Sequence, residues 1–399
     1  MLNAHKSDYA LVLGVILLSG SLYYMTVLRN LWLLPFLFVL LIKFYSNRPR
    51  IQLAKIVYSI CALMVVLSNV AFKPETVAVF ATNILISVLL TSLLPLERFA
   101  KAYYRIIVCL AILSWLSLPL WFFGVRSPIG DFVSMTDVPY QNFLVFGIRN
   151  EFMDGVGTFR NAGIFWEPGA FQVFLNVGFV FGILFGLVTM PTYFILLITI
   201  LTANSTTGIV VFGILSIVYI IQQWKNGSFT SSSKAFICGL IICLGAFLFA
   251  AEYLLLGLDK FQEGSSSFLS FEARTADYLI DWHLLMDFPF QGIGLGNYHL
   301  REVYGIDLLG AGLYWFNSPP AADGLFVFLV QIGLLGCPLL APFIFPRYLK
   351  EWSWPLKMLT VIAIILMFNN ENMFLFLLPI VMAIYGLASA AGRKKYAAQ

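Results

Sequence analysis

The stretch PGAFQVFLNVGFVFGILFGLV, residues 168–188, contains no charged side chain. A membrane-spanning helix needs about 20 mostly apolar residues, so this run reads as one span. Pro168 suits the first turn of a helix. Glu167 then falls at the helix N-terminus, where the peptide dipoles favour a negative charge. Working outward, comparable runs occupy 9–28, 31–45, 51–71, 76–94, 106–124, 191–205, 207–223, 235–257, 324–345, 356–370 and 373–390. The run Asn369–Asn372 interrupts the last pair and is too polar to face lipid. It belongs at an aqueous surface or in the bundle interior.

Composition agrees. Hydrophobic residues make up 60% of the 399, charged residues only 11%, and the mean hydropathy is +0.88. A soluble domain carries about 25% charged residues, so soluble enzymes, disordered chains and nucleic-acid binders are excluded. The expected fold class is an all-α polytopic membrane protein, a single integral membrane domain over 1–399 with about twelve transmembrane helices. Ten is the alternative if one of the hairpins 9–45 and 356–390 does not cross.

Twelve spans put both termini on one side. Sixteen of the 24 Lys and Arg residues then share that side, against only Asp8, Glu97 and Glu351 among the 20 acids. The positive-inside rule makes it cytoplasmic. Two long loops remain outside, about 125–167 and 258–323. Loops of that length are usually functional or disordered, and these are rich in Trp and Tyr, so they are expected to fold onto the membrane domain. Phe271, Tyr278, Leu279, Trp282 and Leu285 recur at helical spacing, which predicts an amphipathic helix over 271–287. No cleavable signal is evident after Lys6. The five cysteines all lie in spans, no cluster has zinc spacing, and neither a disulfide framework nor a metal site is expected.

The span centres hold almost no ionisable group, whereas pumps and proton-coupled carriers carry such groups at mid-membrane. Chemistry is therefore expected at the outer face. Four segments concentrate it. The first is Arg160-Asn161-Ala162-Gly163 followed by Glu167-Pro168-Gly169, which reads equally as an interfacial ion pair with Trp166 as an aromatic anchor. The second is Ser205-Thr206-Thr207-Gly208, a hydroxyl-rich break suited to sugar hydroxyls or to capping helix ends. The third joins Arg274, whose guanidinium can grip a phosphate bidentately, to the turn Gly292–Asn297 with Tyr298 and His299. Those glycines permit close approach of a ligand or make a tight turn. The fourth is Asp323-Gly324, at a helix start. His283 and His299 are the outer imidazoles, and His299 is the better placed.

In this order the segments resemble the O-antigen and capsule polymerases of the Wzy type, within the O-antigen ligase/polymerase superfamily. The motifs cover about 150–345. The resemblance implies a metal-independent, inverting C-type glycosyltransferase without cofactor, located in the bacterial inner membrane with its active site facing the periplasm. Its substrate would be an undecaprenyl-diphosphate-linked oligosaccharide, with membrane lipid, a chain-length regulator and a flippase as further partners. Arg160 and Arg274 would hold the diphosphate. Glu167, His299 and Asp323 are the candidate bases, and Asn161, Ser205, Thr206, Asn297 and Tyr298 the candidate glycan contacts. Ligases of the superfamily carry a histidine just before the span that follows the second loop. Asn317–Asp323 has none, which favours polymerase over ligase. A flippase or other transporter is the reading from a different class, and it would need a polar path through the spans.

Overall fold

The computed structural model describes residues 5–22, 24, 29–69, 73–123, 132–133, 139–143, 145–153, 156–225, 266–310, 324–369 and 371–387. The expected span 235–257 and Asp323 lie outside them. The chain is predominantly helical: α1 Lys6–Leu18, α2 Leu33–Asn47, α3 Leu53–Leu67, α4 Pro74–Leu93, α5 Leu96–Ser114, α6 Ser117–Phe122, α7 Pro168–Leu184, α8 Met190–Ala203, α9 Thr206–Lys225, α10 Ser266–Asp287, α11 Tyr298–Leu309, α12 Gly324–Ile332, α13 Cys337–Ile344, α14 Trp354–Asn369 and α15 Leu377–Leu387. Among the described residues, Asn30–Asn47, Pro74–Leu93, Leu96–Pro119 and Thr206–Lys225 are long and apolar enough to cross a membrane. The α12–α13 pair makes a fifth if counted as one span. Several further helices are apolar but shorter. This is the pattern of a multi-pass membrane protein.

Helix α7 is the centre of the bundle, with every residue from Pro168 to Leu184 buried. Lipid is as apolar as leucine, so close packing rather than apolarity holds such helices together. Gly178 lets Ile107 of α5 approach, and Gly182 does the same for Tyr104. On an adjoining face, Phe179 stacks on Phe212 of α9 with ring centroids 4.6 Å apart. By contrast, α2 buries little beyond Leu33 and Leu40 and turns Leu34, Phe38 and Ile42 outward.

Four features differ from the sequence expectation. First, the described residues of the loop before α7 include a four-stranded antiparallel meander, β1 Phe132–Val133, β2 Pro139–Phe143, β3 Phe146–Met153 and β4 Val156–Gly163, paired in that order. The sequence between β3 and β4 is Asp154-Gly155, a pair that favours tight hairpins. Secondly, within the expected span 9–28 helix α1 ends at Leu18. Gly20 sits at φ +135° against the Trp166 ring, and Leu22 N donates to Ile164 O (2.8 Å), so the chain leaves the helix to meet the first loop.

Thirdly, the expected span 324–345 is broken at Gly333 into two helices bent by 106°. Gly333 has φ +65° and lies against the backbone of Phe290 and Gly292. Fourthly, α10 exists but faces the other way. Tyr278, Leu279, Trp282 and Met286 are exposed, while Asp277, Ile280, Asp281 and Leu284 are buried. The inward carboxylates are satisfied by Arg301 of α11, whose Nη2 reaches Asp277 Oδ1 at 2.5 Å and whose Nε reaches Asp281 Oδ1 at 2.9 Å.

Candidate functional site at the start of α7

Three distant parts of the chain meet at the start of α7. Glu167 is its N-cap, in extended conformation at φ −159°, ψ 161°, and Pro168 occupies the first turn. The indole N–H of Trp166 donates to Glu167 Oε1 (3.1 Å). Trp166 is buried against Phe376, ring centroids 5.4 Å apart, so it packs inside the protein rather than anchoring at a lipid interface. That packing ties the first loop to the break between α14 and α15, where Glu371 lies.

Glu371 is the residue that the sequence reading missed. It is 6% exposed, and its side chain is hydrogen-bonded to Glu167. Burial pushes its carboxyl well above the ordinary carboxylate range, and the neighbouring Glu167 pushes the same way through its charge and the hydrogen bond. Arg274 and then Arg160 oppose this, so both guanidinium groups act on the same carboxyl. Arg160 arrives on β4 and Arg274 on α10. The available signal was the run Asn369–Asn372. That run is too polar to face lipid, but sequence spacing does not say which motif it joins.

The space around Glu371 is made by two glycines. A Cβ on Gly169 would overlap its carboxylate oxygen, and one on Gly324 would overlap its backbone carbonyl. The motif glycine of Glu167-Pro168-Gly169 is therefore needed for close approach of Glu371, not for a turn. Nearby, Tyr278 of α10 and Asn369 of α14 are hydrogen-bonded through Tyr278 Oη and Asn369 Nδ2. This contact fastens the helix bearing Arg274 two residues from Glu371.

The other sequence candidates are placed differently. Asn161 is fully buried, and its Nδ2 donates to Ser114 Oγ (2.9 Å) and Thr202 Oγ1 (3.3 Å) while its Oδ1 accepts from Gly163 N (2.9 Å). The expected glycan contact is thus occupied inside the protein, where it joins β4 to α5 and α8. A register shift in β3–β4 between Gly147 and Ile148 accompanies this turn toward the bundle. Ser205 is buried and its Oγ accepts from Gly208 N (3.4 Å), the capping geometry, whereas Thr206 is exposed. Asn204, at φ +48°, ends α8. Behind this break Asn176 Nδ2 of α7 donates to Gly208 O (3.3 Å) and Gln172 Oε1 (3.0 Å).

The glycine turn also serves the protein itself. Ile293 N donates to Val330 O (3.1 Å) and Gly294 N to Gln331 O (3.0 Å), while Leu334 N returns a bond to Pro289 O (2.8 Å). A Cβ on Gly292 would lie 2.5 Å from Gln331 O and from Gly333 N. The turn is therefore a clasp on the broken span α12–α13. Asn297 Nδ2 bonds Ile293 O (2.9 Å), Tyr298 is 40% exposed, and His299 projects outward, 3.7 Å from Glu302.

Of the candidates, then, Arg160, Glu167 and Arg274 are brought together with Glu371. Asn161 supports that group from behind, and His299, Asn297 and Tyr298 belong to the clasp and α11. Two guanidinium groups beside a carboxyl pair can bind a phosphorylated group and accept a proton next to it. No family model, no curated protein and no solved structure matches the chain.

Proposed function

We propose that the protein is a polysaccharide polymerase of the O-antigen or capsule type. It would transfer a growing glycan from undecaprenyl diphosphate to a new lipid-linked repeat unit at the outer face of the bacterial inner membrane. The observation that carries this reading is the convergence of Arg160 and Arg274, from separate outer loops, on the Glu167–Glu371 pair. In the reaction, the acceptor hydroxyl attacks the anomeric carbon of the growing glycan from the face opposite the diphosphate. The new C–O bond forms as the bond to phosphate breaks, and its electron pair leaves on the diphosphate. The hydroxyl proton passes to Glu167. Arg160 and Arg274 stabilise the charge that builds on the leaving group.

The orientation rests on the alternation of twelve spans. Polar contacts support it, because they join residues assigned to the same side. On the cytoplasmic side Arg98 grips Asp8 through two bonds (2.6 and 2.8 Å), Arg105 Nη1 reaches Tyr9 Oη (2.6 Å) and Lys225 Nζ reaches Ser353 Oγ (2.9 Å). The Glu167–Glu371 and Tyr278–Asn369 contacts join residues assigned outside.

The test is purified protein given a defined undecaprenyl-diphosphate-linked repeat unit, with chelator present. Ladders of two or more repeats are expected, with release of undecaprenyl diphosphate. Strict dependence on a divalent ion would overturn the mechanism. Transfer only to a lipid-A-type acceptor would indicate a ligase.

A further inference from the structure

We propose that Glu167 and Glu371 hold one proton between them, with Glu371 as its permanent carrier, so that Glu371 is the positioning residue that keeps Glu167 as the site's single carboxylate. This rests on the reading of Glu167 as proton acceptor. The geometry divides the pair unequally. Glu371 is buried, with Gly169 and Gly324 closing on its side chain and its backbone. Glu167 is only partly buried, at the mouth of α7, where the helix N-terminus favours its charge. Trp166 Nε1 already donates to Glu167 Oε1. A second donor from Glu371 completes an environment that stabilises a carboxylate on Glu167 and an acid on Glu371. Two carboxyls in hydrogen-bond contact do not both ionise readily.

The proton also sets the charge of the site. Among the described residues, the charged groups acting on Glu371 are Glu167 at the start of α7, Arg274 on α10 and Arg160 on β4. With both carboxyls ionised, two arginines would be cancelled. With one proton retained, the group carries a net positive charge, suited to an incoming diphosphate. Apart from this pair, the outer face holds fifteen of the 20 acids in the proposed topology, so this local excess cannot come from the surroundings. When the acceptor hydroxyl is deprotonated, its proton goes to Glu167 and the pair becomes neutral. It returns to its resting charge by releasing that proton to water after the glycan has moved.

The test compares Glu371→Gln with Glu371→Ala in the purified full-length protein. Glutamine still donates a hydrogen bond but cannot ionise. Glu371→Gln is expected to retain polymerisation within about tenfold of wild type and to keep it at alkaline pH, where wild type declines. Glu371→Ala is expected to lose about 10²-fold or more, the scale seen when a preorganised hydrogen bond is removed from an active site. Equal loss in both variants would mean that Glu371 works as an ionised base and would overturn the proposal. Infrared difference spectroscopy on the wild-type protein gives a readout that needs no substrate. A protonated-carboxyl carbonyl band is expected at neutral pH, absent in Glu371→Gln, and its absence in the wild type would refute the shared proton. If wild type makes no polymer while the band is present, the polymerase reading fails and the proton assignment stands.

Discussion

The carboxyl of Glu371 lies directly over Gly169, so closely that a methyl group at position 169 would occupy the space of its oxygen. Glycine at this point of Glu167-Pro168-Gly169 is a requirement of the carboxyl pair. Gly169→Ala should therefore push Glu371 away from Glu167, at the cost of about 1–3 kcal/mol usual for overpacking. A lower melting temperature in detergent and shortened glycan ladders are expected. Unchanged values of both would show that the close approach is dispensable.

Arg274 and Arg160 reach the pair from different loops, and each should be needed. Arg274→Ala and Arg160→Ala are expected to remain in the membrane yet yield only single-repeat glycan, with turnover reduced by about 10²–10³-fold. Arg274→Lys should rescue poorly, because an ammonium lacks the planar fork that matches phosphate oxygens. A wild-type chain-length distribution in the Arg274→Ala strain would sink its assignment.

The buried acid gives a pH dependence whose sign is set. The folded state holds Glu371 neutral above the ordinary glutamate range, whereas the unfolded chain ionises there. Its contribution to stability is full below the ordinary glutamate value and is lost as pH rises toward the raised value. Wild type should thus lose melting temperature between mildly acidic and alkaline pH, and Glu371→Gln should lose less. Parallel curves for the two proteins would contradict a neutral Glu371.

Arg301 is 3% exposed and bridges two carboxylates that α10 turns inward. Removing a single partner from such a buried group costs about 3–5 kcal/mol, whereas replacing the whole group by apolar residues is often neutral. Arg301→Ala should increase hydrogen exchange in α10 and lower activity through Arg274. The triple change Arg301→Met, Asp277→Leu, Asp281→Leu should recover most of the lost protection. Exchange unaffected by Arg301→Ala would mean that α10 is held by other contacts.

The clasp predicts a distinct effect far from the carboxyl pair. Gly292 has φ +69° and no room for a Cβ against Gln331 and Gly333. Gly292→Ala should cost about 1–2 kcal/mol from the left-handed backbone alone, with the overlap in addition. Limited proteolysis of the detergent-solubilised protein should then cut between α10 and α11 faster than in wild type. An unaltered cleavage rate would show that the turn does not hold the loop to α12–α13.

Much of this organisation is legible in the residues themselves. Hydropathy marks helices such as α4 and α9, because a chain in lipid must satisfy its backbone within each helix and expose apolar side chains. Proline after Glu167 places that carboxyl at a helix start. Arg160, Glu167 and Arg274 could be singled out because ionisable groups bordering lipid are costly and few. What tertiary structure alone decided is which of these meet. Glu371 stands more than two hundred residues from Glu167, in a polar run with no motif of its own. Asn161 looked like a ligand contact until Ser114 and Thr202 took up its amide. The apolar stripe of α10 faces outward because Arg301 makes the polar face the one worth burying. Helical periodicity records a face but not its partner. Only long-range contacts settle which way that face turns.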